Sequence, residues 1–255
     1  MTGRADSVRA ERRGAVAWLI IDSPARRNAL GGAELAGLVA GLNDALAAPD
    51  VRVIVVTGTG TAFSSGADLQ DTTDSAVIEQ AYRDLFRGIL DAGKPVVARI
   101  NGHCLGIAIG LAAVCDLSVT VDKAIFGFTE VRLGLTATLA SVVSLPRLRQ
   151  SDAAELLLRG NRFDGVRAAE AGIVNKAIAA EELDTEIDAI VTDLLAGGPV
   201  ALANTKHLMR QIRLVSEDEA WDIAFRITNE TSGSPEAREG TAAFREKRAP
   251  AWPTN

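Results

Sequence analysis

Residues Asn101-Gly102-His103-Cys104-Leu105-Gly106-Ile107-Ala108-Ile109-Gly110 carry a β-rich run through a glycine-bearing turn and into an apolar helical run. A helix that starts this way leaves its first N–H groups without intrahelical acceptors and aims them at an anion. A second segment, Phe63-Ser64-Ser65-Gly66-Ala67-Asp68-Leu69, follows another β-rich run and can present an N–H near Ala67. Two such donors converging on one oxygen make an oxyanion hole, which stabilises a carbonyl or thioester as it becomes an enolate. The neighbouring polar groups have plainer readings. Asp68 suits a turn in which it bonds its own backbone. His103 reads as a packed or half-buried side chain, with polarisation of a substrate or water as the alternative. The only other histidine is His207, so a histidine metal cluster is excluded. Cys104 reads as a small core thiol rather than as a nucleophile activated by a helix start.

These two turns need rigid elements on either side of them. Residues 16–21, 52–57, 96–101 and 116–121 are β-branched or continuously apolar runs of strand length, consistent with a buried sheet. Between them lie helical patterns over residues 32–47, 75–89 and 105–114. The first stops before Pro49, the second near Gly93-Lys94-Pro95, and the third is apolar almost all round, as a buried helix should be. The first two-thirds of the chain is therefore an α/β core. Beyond residue 151 helices dominate, over residues 152–158, 165–172, 181–195, 200–215 and 217–228, with a short strand at most over 175–178. The break at Gly197-Gly198-Pro199 separates a core of residues 1–195 from a helical region of residues 196–255. Asp116 is expected to close the connection after the apolar helix.

Composition removes several classes of function. The chain has 255 residues, 47% of them hydrophobic and 24% charged, enough for a large buried core. The net charge of -6, from 27 basic and 33 acidic residues, argues against a general nucleic-acid surface. Two cysteines outside any CxxC pair give neither a disulfide framework nor a zinc site, and a reducing cytoplasm is the expected compartment. The apolar run over 15–21 is interrupted at Asp22 and is too short for a membrane span or a secretory segment. Gly58-Thr59-Gly60 lacks the third glycine of a dinucleotide-binding turn, and no Gly-x-Ser-x-Gly elbow is present.

The ordered motifs resemble those of the crotonase superfamily, the enoyl-CoA hydratase/isomerase family, over nearly the whole chain. Residues 24–30 are similar to the pattern RPxxxNAL, residues 63–69 to xFxxGADL, and residues 95–106 to PVIAAVNGxxxGGG. They are followed by Cys115-Asp116, then by Phe126-Gly127-Phe128-Thr129-Glu130-Val131-Arg132-Leu133-Gly134. The last is Glu239-Gly240-Thr241-Ala242-Ala243-Phe244-Arg245-Glu246-Lys247-Arg248. The resemblance implies a spiral of ββα units carrying the CoA and acyl site, and a C-terminal helical region that packs homotrimers, often paired into hexamers. It implies an acyl-CoA thioester substrate, with coenzyme A entering as part of that substrate and no permanently bound cofactor or metal. The oxyanion donors map onto the backbone N–H groups of Ala67 and Ile107. The family usually has glycine at the second, so the Ile107 side chain bears on the space left for the acyl group. Ser65, Ala67 and Leu69 match positions around the CoA adenine. Arg26 and Arg27 match the region that meets its phosphates and adenine, and Phe244 and Lys247 match residues that reach a neighbour's CoA.

The carboxylates depart from the family pattern. Hydratases of this family hold water between two Glu side chains, of which one survives as Glu130 and the other falls on Gly110. A single carboxylate is sufficient for a proton shuttle between C2 and C4 of an enoyl thioester, which is double-bond isomerisation. The Thr-Glu-Val-Arg-Leu-Gly run also resembles single-Glu hydratases of branched enoyl-CoAs. Hydration with a wider pocket at Gly110, Δ3,Δ2-isomerisation and acyl-CoA binding without turnover all stay open at this point. Arg132 is expected to pair with Glu130 or with a phosphate. Residues 75–89, residues 137–145 and the C-terminal helices are expected to form the acyl walls.

Overall fold

The four apolar runs become neighbouring strands of one sheet, and a second, smaller sheet is built from shorter segments. The computed structural model describes residues 7–252. It opens with β1 (Val8–Arg13), β2 (Val16–Ile21) and α1 (Gly32–Ala47). Three strand pairs follow: β3 (Val53–Gly58) and β4 (Ala62–Ser64) before α2 (Ser75–Asp91), β5 (Val96–Ile100) and β6 (His103–Leu105) before α3 (Ile107–Val114), then β7 (Leu117–Val121) and β8 (Ile125–Gly127). After these come α4 (Thr138–Ser144), α5 (Gln150–Arg159), β9 (Phe163–Asp164), α6 (Gly165–Glu170), β10 (Lys176–Ile178) and α7 (Leu183–Ala196). The C-terminal helices are α8 (Pro199–Gln211), α9 (Glu217–Ser232) and α10 (Pro235–Glu246). The first strand of each pair enters a six-stranded sheet of order β1-β2-β3-β5-β7-β10. The second enters a four-stranded sheet of order β4-β6-β8-β9. The repeating ββα unit is thus visible in the strand order. It is invisible to sequence periodicity because each second strand spans only three residues.

The expected elements recur with small shifts. Strands β2 and β3 are buried at every position, which is why they read as unbroken apolar runs rather than alternating ones. In α2 the buried residues Tyr82, Leu85, Phe86 and Ile89 recur at helical spacing, and every residue of α3 is buried. The third helix begins at Ile107 rather than 105. Leu105 pairs with Gly127 across β6 and β8, and Gly106 adopts a φ of +55° that a helix cannot continue through. Strand β1 escaped the sequence pattern because its Val-Arg-Ala-Glu-Arg-Arg residues are those of a charged sheet edge.

Polar anchors dock the C-terminal helices. Lys206 of α8 is buried, and its Nζ reaches Asp116 at 2.7 Å, Ile89 O at 2.8 Å and Lys94 O at 3.3 Å. Glu236 of α10 accepts from the N–H groups of Val200 and Ala201 at 2.9 and 2.8 Å, capping the start of α8. Helix α9 has no buried residue within one chain.

Candidate active site

Glycine makes the two turns possible. Gly66 holds φ at +92°, and a Cβ there would lie 2.6 Å from Leu105 O. A Cβ on Gly106 would lie 2.9 Å from Glu130 Oε1. At Gly66 two stretches of backbone pass too closely for a side chain, and at Gly106 the positive φ and the Glu130 carboxylate both disfavour one. Leu30 donates to Gly66 O at 2.8 Å and accepts from Asp68 N at 3.1 Å. These bonds straddle Ala67 and turn its own N–H to the opposite side of the bridge. Ile107 is the first residue of α3, so its N–H has no intrahelical acceptor.

Ala67, Ile107 and Glu130 line one cavity of about 340 Å³, together with Tyr82 and the segment around Leu133 to Ala140. Glu130 starts a short 3₁₀ turn whose end, at Gly134 and Leu135, hydrogen-bonds back to its carbonyl. Its Oε2 is buried without a hydrogen-bond partner among the described residues. Burial pushes the carboxyl pKa above its ordinary value, and a bond from its own backbone N–H partly opposes that rise. Among the described residues no other carboxylate lines the cavity, while the hydroxyl-bearing residues Ser65, Tyr82, Thr129, Thr136 and Thr138 do. The arrangement offers two backbone donors and one proton acceptor of raised affinity in a mostly apolar space.

The expected wider pocket at Gly110 is not found. A Cβ on Gly110 would stand 3.1 Å from Ala140 Cα and 3.2 Å from the Phe86 ring, and Gly110 does not line the cavity. The place of the second family carboxylate is filled by packing, with Phe86 and Ala140 supplying the volume. Arg132 does not pair with Glu130. Its Nε donates to Gly160 O at 2.8 Å and its Nη2 to Arg159 O at 3.1 Å, at the end of α5. Cys104 lies inside β6, fully buried, and burial drives its thiol pKa well upward, as for an inert core thiol. His103 lies outside the cavity, its Nδ1 buried without a partner among the described residues. The side chain of Asp68 accepts from Gln70 N at 3.1 Å, the local turn expected of it.

Of the residues matched to the CoA portion, Ser65, Ala67 and Leu69 lie together on the cavity rim. Arg27 is exposed, and its carbonyl accepts from Ser65 N at 2.9 Å. Arg26 is placed differently, its guanidinium engaged by the carboxylates of Glu34 and Asp68. Phe244, 85% exposed, and Lys247 sit at the far end of α10, away from the cavity of their own chain. Sequence reasoning named the segments holding Tyr82 and Ala140 but not these side chains. The helical spacing of Tyr82 and Phe86 was the available signal.

The two sheets, the ββα repeat and the crossing glycine turns define the crotonase fold. An enoyl-CoA hydratase from Mycobacterium smegmatis superposes with a TM-score of 0.90 over 96% of this chain and 98% of its own, at 28% identity. The family model described as enoyl-CoA hydratase/isomerase matches residues 11–255, and the chain belongs to that family of acyl-CoA enzymes. A Thermus thermophilus relative, provisionally named an enoyl-CoA hydratase, is 32% identical over 93% of this chain and 97% of its own. The 2,3-dehydroadipyl-CoA hydratase of Escherichia coli is 28% identical over 94% and 95%. Among the described residues, no helix is long and apolar enough to cross a membrane.

Proposed function

We propose that this chain is a single-base enoyl-CoA hydratase/isomerase, with Glu130 moving the proton and the N–H groups of Ala67 and Ile107 holding the thioester oxygen. The observation that supports it is the meeting of two open backbone donors and one unpartnered, half-buried carboxylate in a single cavity. Hydration of a 2-enoyl-CoA is the leading reading, in keeping with the names of the relatives. Glu130 takes a proton from water as the water oxygen bonds to C3. The C2–C3 π electrons pass into the thioester oxygen between the two N–H groups, and the protonated Glu130 then returns its proton to C2. The carboxylate ends as it began. A second reading, favoured by the absence of another carboxylate and the filled space at Gly110, is isomerisation of a 3-enoyl-CoA. There Glu130 removes a proton from C2 and returns it at C4.

The CoA portion is assigned to the rim at Ser65, Ala67 and Leu69, with Arg27 facing its phosphates. Phe244 and Lys247 are assigned to a neighbouring subunit's CoA within a homotrimer or hexamer built on residues 196–255. The uncovered helix α9, with Trp221 57% and Phe225 61% exposed, supports a covering second copy. Mass spectrometry of products from 2-enoyl- and 3-enoyl-CoAs in heavy water tests the reaction. A water-gain product absent with Glu130→Gln supports hydration. Deuterium incorporation with a moved double bond supports isomerisation. Bound acyl-CoA with no turnover on any substrate overturns both.

A further inference from the structure

We propose that Arg26 is a positioning residue for the Ala67 N–H, acting through Asp68, and not a ligand of the CoA phosphates; this rests on the reading of that N–H as an oxyanion donor. Glu34 is 0% exposed, and a buried carboxylate is sustained only by partners that replace its water. Its Oε1 accepts from Ser23 Oγ at 3.1 Å and pairs with one terminal nitrogen of Arg26, and its Oε2 accepts from Gly31 N at 3.2 Å. The other terminal nitrogen of Arg26 pairs with Asp68, the residue immediately after Ala67. One planar guanidinium therefore joins the start of helix α1 to the donor loop.

The base of this clamp is rigid. Asn28, buried at φ +57°, accepts from Ser23 N at 2.9 Å and donates to Thr59 O at 2.9 Å and Ala62 O at 2.7 Å. The loop beyond Asp68 has little apolar packing to hold it, Leu69 being 69% exposed. Polar ties do that work instead: Asp68 to Arg26, and Asp71 to Gly32 N at 2.6 Å. Because a donor misplaced by about 1 Å costs about 100-fold in rate, a tie one residue from the donor acts on turnover more than on binding.

The test uses the full chain with butyryl-CoA carrying a ¹³C thioester carbonyl, which has no double bond to convert. Its infrared carbonyl band reports polarisation, and titration of the same complex reports affinity. In wild type the band is expected to move to lower frequency. In Asp68→Asn, which keeps the Gln70 turn and the Arg26–Glu34 pair, the shift is expected to shrink while affinity stays within about threefold. The double variant Arg26→Met/Glu34→Gln, which removes the fully buried Glu34 charge together with its partner and still cuts the tie to Asp68, is expected to behave alike. Arg26→Lys restores part of the shift. On a converted enoyl-CoA, kcat falls about tenfold or more with KM little changed. Weakened binding with a full shift would make Arg26 a CoA ligand and overturn the proposal, as would a full shift at unchanged affinity. Wild-type binding with no shift would remove the oxyanion reading itself, and this inference with it.

Discussion

At the first turn of α3, the N–H of Ile107 has no intrahelical acceptor and Oε2 of Glu130 lies over the turn, buried and unpartnered. At the last turn, eight residues along, the polar groups are engaged. Asp116 accepts from Val96 N at 2.8 Å and from Lys206 at 2.7 Å, and Arg147 donates to Cys115 O at 3.0 Å. One end of an apolar helix leaves groups ready for a substrate, and the other uses its groups to lock the chain together. The contrast shows where the fold gives up stability: among the described residues, a carboxylate oxygen is left buried and unpartnered at the first end, while the carboxylate at the other end is paired.

The largest expected effect breaks the first end. Glu130→Gln is expected to lower kcat by roughly 10²- to 10⁴-fold, the usual worth of a general acid or base, measured on whichever enoyl-CoA is converted. The same change is expected to raise the melting temperature at neutral pH. Burial raises the Glu130 pKa, so the native state favours the protonated form. Its contribution to stability is therefore present below the unfolded carboxylate value of 4.5 and lost as pH rises through the native value. The gain in melting temperature should fade as pH is lowered through the carboxylate range. A variant less stable at pH 7 would mean that Glu130 holds the turn together.

The opposite outcome is expected at the other end. Lys206→Met leaves Asp116 without this cation and takes one donor from Ile89 O, and should destabilise the protein by about 3–5 kcal/mol in chemical denaturation. Lys206→Met/Asp116→Asn should recover part of that loss. Neither change should alter the pH dependence of turnover, because neither group lines the cavity that holds Glu130.

Much of this arrangement was legible in the residues. The glycines at 66 and 106, the apolar helix after the second, and Glu130 on its own later segment could all be named without coordinates. The small sheet could not be, because two- and three-residue strands have no period to detect and exist only through pairing with one another. The fate of Gly110 was hidden for a related reason. An absent side chain looks like open space in a sequence, and only tertiary packing shows that Phe86 and Ala140 occupy it. Arg26 and Arg132 were illegible differently. Arginine suits a phosphate, a carboxylate or a helix end equally well, and the choice depends on distant parts of the chain.

Gly110→Glu sharpens the comparison at the middle of the helix. The new side chain would have to displace Ala140 backbone and the Phe86 ring. The expected result is overpacking that costs about 1–3 kcal/mol or more, with no gain in hydration. Increased hydration at unchanged stability would show that Phe86 swings aside and that the site accepts a second carboxylate. A smaller effect is expected in the pH profile of wild-type kcat/KM. With Glu130 acting as a base, activity should fall on the acid side at an inflection above 4.5. An inflection at or below that value would detach the carboxylate from the rate.

The smallest expected effect comes from Arg132, two residues after Glu130. The residue is exposed overall, yet its guanidinium caps the last carbonyls of α5 and so ties the turn that carries the carboxylate to a neighbouring helix. Charge at a helix C-terminus plus two hydrogen bonds at the surface suggests a loss of about 1 kcal/mol in Arg132→Ala. Because Glu130 is also held by the bond from Leu135 N to its carbonyl, at 3.0 Å, kcat should change little. If Arg132 instead met a CoA phosphate, the variant would keep its melting temperature and show a raised KM for every acyl-CoA alike. Comparing melting temperature with KM therefore decides whether this arginine belongs with the groups proposed to face substrate at the start of α3 or with the structural ties that hold its far end.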